Sequence, residues 1–140
     1  MPRRATRPRQ FIMDLRKEIR CCVQATGVRS GFPWASFVFP ATFSGFNGHF
    51  PGQPVLPGVC MIQAAAVTLE GWHGGPVRII EVRKARFSAP AGPGDVLEVE
   101  CRSHTKGPHD MTATFAMSRR SDHKASECTL RYAAGGESLS

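Results

Sequence analysis

"PGVCMIQAAAVTLEGWHGG", residues 57–75, reads as a helix with almost no wet side. Pro57 suits a first helical turn, because the N–H it lacks would find no partner there, and Gly71, Gly74 and Gly75 close the segment. The spacing predicts a helix from Gly58 to about Glu70. Between those ends the side chains are Val, Cys, Met, Ile, Ala and Leu, with one hydroxyl (Thr68) and one amide (Gln63) before the carboxylate of Glu70. A surface helix shows one apolar stripe and one charged face. This helix shows neither, so it is expected to be buried on most sides, and the rest of the chain must enclose it. Gln63 is then the anomaly: a buried amide without a partner costs about 1–3 kcal/mol, so something must meet it.

The enclosing elements are legible downstream. "LEVECR" sets Leu97, Val99 and Cys101 against Glu98, Glu100 and Arg102, and "MTATFAM" sets Met111, Ala113, Phe115 and Met117 against Thr112, Thr114 and Ala116. A period of two with one wet face is the mark of a half-buried antiparallel strand. "VRIIEVRKARF" (77–87) precedes them and "SECTLRY" (126–132) comes after, with turn-forming clusters at 89–95 and 106–110. Upstream, "WASFVFPATF" (34–43) has strand composition and ends near Pro40. Phe11, Ile12, Leu15, Ile19, Cys22 and Val23 fall at helical spacing, with a strand through "EIRCCVQA" the close alternative, and Gly27 to Pro33 is expected to break that element. One buried helix and about five strands predict an α+β hot-dog fold, a curved antiparallel sheet wrapped around a central helix. The expected organisation is a basic flexible tail over 1–10, a single hot-dog domain over 11–134 and a frayed C-terminus over 135–140.

The bulk numbers narrow the function classes. The chain has 140 residues and a formal net charge of +7 from 18 Lys and Arg against 11 Asp and Glu, enough chain for one domain without covalent staples. Arg3, Arg4, Arg7 and Arg9 concentrate part of that charge in the tail, which reads as a solvated segment; no nucleic-acid partner is expected. The apolar run 59–69 contains an amide and falls short of the roughly 18 residues a membrane span needs. No uninterrupted apolar segment succeeds the basic N-terminus as in an export signal. Five cysteines (Cys21, Cys22, Cys60, Cys101, Cys128) show no repeated spacing, which fits a reducing cytoplasm. Cys101, His104 and His109 match no established zinc spacing, and no metal is expected.

The loop before the helix carries the chemistry. In "GFNGHFPGQPVLPGVCMIQA" (45–64), Pro51 pushes Phe50 into an extended conformation and Pro54 and Pro57 stiffen the path from there to the helix, so His49 is held with little freedom. Imidazole titrates near 6.5, which makes His49 a candidate base at neutral pH. The N–H groups of Gly58 and Val59, in the first helical turn, lack intrahelical carbonyl partners and point outward with the helix's positive end behind them. Gly58 has no side chain to keep a ligand carbonyl away. Such a turn can polarise a thioester carbonyl and stabilise the enolate-like charge formed when its α-proton leaves.

These residues resemble the signature of the FabZ and FabA type 3-hydroxyacyl-[acyl carrier protein] dehydratases. "VRKARFSAPAGPGDVLEVE" (82–100) and "HKASECTLRYA" (123–133) continue the similarity, which covers about residues 34–133. The resemblance implies reversible dehydration of a 3-hydroxyacyl thioester to the trans-2-enoyl thioester, with His49 as base and Gly58 at the thioester. Phe43, Phe46 and Phe50 would line an acyl channel, with aromatic core as the alternative. It implies a phosphopantetheine-bearing acyl carrier protein as partner and no cofactor; Arg83, Lys84 and Arg86 are candidate docking charges, with solvated strand-edge charges as the alternative. A homodimer or higher even oligomer is expected, with His49 of one copy meeting position 63 of the other. The departure lies there: the family has Glu or Asp where this chain has Gln63, and an amide cannot give a proton to leaving water. Glu70 lies about 10.5 Å further along the axis, on nearly the same face, and cannot serve the same atom. Two rival readings stand: a non-catalytic protein or hetero-oligomer subunit that binds acyl chains or acyl carrier protein, and a hot-dog thioesterase.

Overall fold

The computed structural model describes residues 8–47, 54–88, 91–120 and 125–135. Helix α1 (Pro8–Arg20) is followed by strands β1 (Val23–Arg29) and β2 (Phe32–Val38) and a 3-10 turn at Ser44–Phe46. Helix α2 (Gly58–His73) comes next, then β3 (Val77–Arg86), β4 (Val96–Lys106), β5 (Met111–Arg119) and β6 (Ser126–Ala134). All strand pairs are antiparallel and form one sheet in the order β1-β2-β4-β5-β6-β3. Its buried face holds Leu97, Val99 and Cys101 of β4, Ala113, Phe115 and Met117 of β5, and Cys128, Leu130 and Tyr132 of β6. These pack around α2, whose residues from Gln63 to Leu69 are all buried. This is the hot-dog architecture, and the period-two alternation in β4 and β5 is what aims each strand at the helix. Among the described residues no helix is long and apolar enough to cross a membrane.

Three elements differ from expectation. Helix α2 runs through Gly71 and stops at Gly74, whose φ of 75° lets its N–H return to Glu70 O at 2.8 Å. The Gly27–Pro33 stretch is no break: β1 continues through Gly27, and Ser30 (φ 54°) with Gly31 (φ 84°) forms a two-residue hairpin turn between the paired residues Arg29 and Phe32. The strand count is therefore six. Gly27 sits opposite Trp34, where a Cβ would lie 2.6 Å from the indole nitrogen, so the missing side chain admits the ring of its neighbour. Helix α1 begins at Pro8, so residues 8–10, read as the end of the tail, are helical. Helix α1 takes Glu18–Arg20 of "EIRCCVQA" and β1 takes Val23–Ala25, with Cys21 and Cys22 forming the turn between them.

Helix α1 lies against α2 through Leu15 and Ile19, both buried. Its stripe of Ile12, Leu15 and Ile19 includes Arg16, four residues after Ile12 and three before Ile19. That cation therefore points inward, which determines the surroundings of Gln63.

Candidate active site

The first turn of α2 has the expected form. Pro57 caps it in an extended conformation (φ −65°, ψ 154°), and the N–H groups of Cys60 and Met61 both reach Pro57 O, at 3.0 and 3.2 Å. Helix geometry then leaves the N–H groups of Gly58 and Val59 without intrahelical acceptors. The approach to this turn is pinned: Leu56 N–H bonds to Ala91 O at 2.7 Å, and Asp95 Oδ2 accepts from Gly92 N–H at 2.8 Å to close the turn that supplies that carbonyl. Asp95 is thus a turn former. Val59 is exposed, and the ring of Phe87, just past β3, covers Gly58 so closely that a Cβ there would lie 2.6 Å from Phe87 Cε2.

Of the expected site residues, His49 and Phe50 lie outside the described residues. Phe46 is a core side chain, set edge-on against Phe43 with ring centroids 5.6 Å apart, and Phe43 in turn packs on Phe39. Gln63 is 4% exposed, and its partner is a side chain that sequence reasoning did not consider. Its Oε1 accepts from Arg16 Nε at 2.7 Å. Arginine carries donors only, so the oxygen must be the end of the amide that faces it. The same guanidinium donates from Nη1 to Val77 O at 2.6 Å and to Glu70 Oε2 at 3.2 Å. Arg20 meets the other oxygen of Glu70 at 2.8 Å, and Val77 N–H adds a bond to Oε2 at 3.1 Å. Glu70 does not reach Gln63, but the fork of Arg16 spans the two turns between them. The side chains of Arg16 and Glu70 are only 13% and 10% exposed, so water screens this pair weakly. The signal in the sequence was the placement of Arg16 on the apolar stripe of α1.

One turn along α2 from Gln63, a groove of about 520 Å³ opens between the helices and β1, lined by Arg20, Val23, Thr26, Val67, Glu70 and Gly71. Burial, with Glu18 adding, pushes the Cys60 thiol on α2 up to about 12, which disfavours its thiolate. At the far end of α2, the Nε2 atoms of His73 and His104 approach Tyr132 Oη at 2.7 and 2.8 Å, with Trp72 packed edge-on against His104. His104 is thus engaged in a ring cluster, and Cys101 Sγ donates to Ser103 O at 3.3 Å.

Comparison with known proteins places this geometry in context. A family model described as ApeI-like, ApeI dehydratase, matches residues 34–129. The 3-hydroxyacyl-[acyl-carrier-protein] dehydratase FabZ of Syntrophobacter fumaroxidans is 37% identical over 82 residues, covering 52% of each chain, and that of Clostridium novyi is 34% identical over 98 residues, covering 64% of this chain and 68% of its own. The chain spans about half the length of several of the curated relatives it matches. Among solved structures, the dehydratase heterocomplex ApeI:P from Xenorhabdus doucetiae superposes with a TM-score of 0.64 at 21% identity, covering 79% of this chain and 96% of that one, which shows a shared fold.

Proposed function

The chain belongs to the ApeI-like dehydratase family, and on that premise we propose that it dehydrates a 3-hydroxyacyl thioester carried on acyl carrier protein to the trans-2-enoyl thioester, reversibly. The observation that carries the reading is the first turn of α2, capped by Pro57 in an extended conformation, with His49 nine residues before Gly58 in the chain. His49 removes a proton from C2 of the substrate, and the N–H groups at Gly58 and Val59 take up the charge that develops on the thioester oxygen. The C3–O bond then breaks as the C2–C3 double bond forms. The imidazolium returns its proton to the departing hydroxyl, and water leaves. Gln63 gives up no proton. With its oxygen held by Arg16, its Nε2 is the end that can donate to the 3-hydroxyl.

The assembly that suits this chemistry is a homodimer or higher even oligomer formed along β3. Among the described residues β3 pairs with β6 alone, and Val82 and Phe87 are 40% and 37% exposed on or beside this edge strand. Of the candidate docking charges, Arg83 pairs with Glu81 at 3.0 Å and Arg86 with Glu127 at 3.6 Å, while Lys84 sits in a bulge with φ 51°. A second reading, a non-catalytic subunit whose partner supplies the carboxylate, is favoured by Gln63 and by the heterocomplex formed by its structural relative. The deciding assay incubates purified protein with a 3-hydroxyacyl thioester on acyl carrier protein and follows enoyl absorbance, for wild type and His49→Ala. Turnover lost in His49→Ala supports the site, and an unchanged rate removes His49 from it. Binding of acyl carrier protein without turnover selects the second reading, and release of free thiol selects a thioesterase.

A further inference from the structure

Arg16 binds Gln63 Oε1, Glu70 and the Val77 carbonyl with one guanidinium, and we infer that it is a positioning residue for the dehydration: it dictates that position 63 faces the substrate as a hydrogen-bond donor and never as an acid. The inference rests on the dehydratase reading above and adds to it the reason a carboxylate is dispensable at this position. A free glutamine amide can present either end to a hydroxyl. Here the oxygen is committed to Arg16 at 2.7 Å, and Arg16 is itself fixed by two further acceptors, Val77 O at 2.6 Å and Glu70 Oε2 at 3.2 Å. Arg20 and the Val77 N–H also bond to Glu70, which favours the carboxylate orientation that meets Arg16. Arg16 is the charged group that meets position 63, with Glu70 and Arg20 behind it, so the linked cluster of two arginines and one glutamate carries a net surplus of one positive charge. A carboxylate introduced there would be paired by Arg16 and kept ionised at neutral pH, with no proton to give. Restoring the family's acid therefore needs two changes, at 63 and at 16.

The test compares wild type, Arg16→Lys, Arg16→Leu, Gln63→Glu and the double variant Arg16→Leu/Gln63→Glu. Turnover is measured as kcat and KM across pH 5 to 9, and the introduced side-chain carboxyl is titrated by carbon-13 NMR. Arg16→Leu is expected to lower kcat on the order of 10²-fold with KM little changed, because the amide is no longer oriented. Arg16→Lys keeps the charge without the fork and recovers part of that loss. Gln63→Glu alone gains no acid-dependent rate, and its carboxyl titrates below the ordinary value of about 4.3; in the double variant burial takes over, the carboxyl titrates above it, and a rate component appears that falls as pH rises. A carboxyl in Gln63→Glu that titrates at or above its ordinary value overturns the inference, as does an unchanged kcat in Arg16→Leu while wild type is active. Absence of enoyl product from every variant sinks the dehydratase reading and with it the positioning role, whereas the titration still decides separately whether Arg16 governs the chemistry of position 63.

Discussion

Glu18 on α1 accepts both the backbone N–H and the hydroxyl of Ser44, the N–H at 2.9 Å. The contact ties the first helix to the turn at Ser44–Phe46, and His49 comes three residues after that turn in the chain. Helix α1 thus touches both parts of the proposed machinery, the turn before His49 through Glu18 and the amide of Gln63 through Arg16, and in a dimer that sets His49 of one copy against position 63 of the other these two contacts serve two separate sites. Glu18→Ala removes two bonds to a carboxylate and is expected to cost about 1–3 kcal/mol, with Glu18→Gln costing less because it keeps an acceptor. Thermal melts measure the cost. A rate in Glu18→Ala that matches wild type, despite a lowered melting temperature, would show that the turn does not govern His49.

Gly58→Ala separates folding from chemistry. The added methyl meets the Phe87 ring at 2.6 Å, a contact the partly exposed ring can relieve by swinging outward, and alanine favours a helix over glycine by about 1 kcal/mol. These effects oppose one another, so stability should change by less than about 1 kcal/mol. The rate should fall on the order of 10²-fold, since the methyl blocks approach of a thioester oxygen to the first-turn N–H groups. Melting temperature and kcat measured on the same preparation check both halves, and a rate close to wild type would place the substrate elsewhere.

Legibility in the sequence depends on which forces are local. The alternation in β4 and β5 survives as a pattern because each strand has one dry face, and α2 announces its burial because almost every residue on it is apolar. β1 carries no such pattern. It is an edge strand with every residue exposed or half-exposed, and the glycine within it is explained by a ring across the hairpin, Trp34, itself covered by Arg29 at 4.0 Å. The partner of Gln63 was hidden for a related reason. The need for one could be inferred from burial alone, but Arg16 is 47 positions away and meets it through the packing of two helices.

Thiol chemistry gives an independent check on the core. Cys21 is exposed, while burial pushes Cys22 and Cys101 up to about 11 and Cys60 and Cys128 up to about 12. At pH 8 those four are thiols rather than thiolates and are also shielded. An aromatic disulfide reagent should therefore titrate one equivalent rapidly in the native protein and the remaining four only after unfolding. Rapid reaction of a second equivalent, mapped by mass spectrometry to Cys60, would show that the base of α2 opens in solution.

The pair of imidazoles on Tyr132 makes stability depend on pH in a stated direction. The tyrosine hydroxyl has one proton, so in the neutral cluster it donates to one ring and accepts from the other; with both rings protonated, that proton has no acceptor. Burial lowers the pKa of His73 and of His104, and for His104 the charge on His73 adds to the effect. The folded state then binds fewer protons than the unfolded chain once pH falls below about 6.5, the ordinary value for these rings. The stability the cluster contributes is complete above that pH and is lost progressively as pH falls through the lowered values. Melting temperature should drop between pH 7.5 and 5.5 in wild type and drop less in His73→Gln/His104→Gln, in which neither ring can charge. Equal slopes in the two proteins would assign the acid sensitivity to other groups and leave the cluster as packing alone.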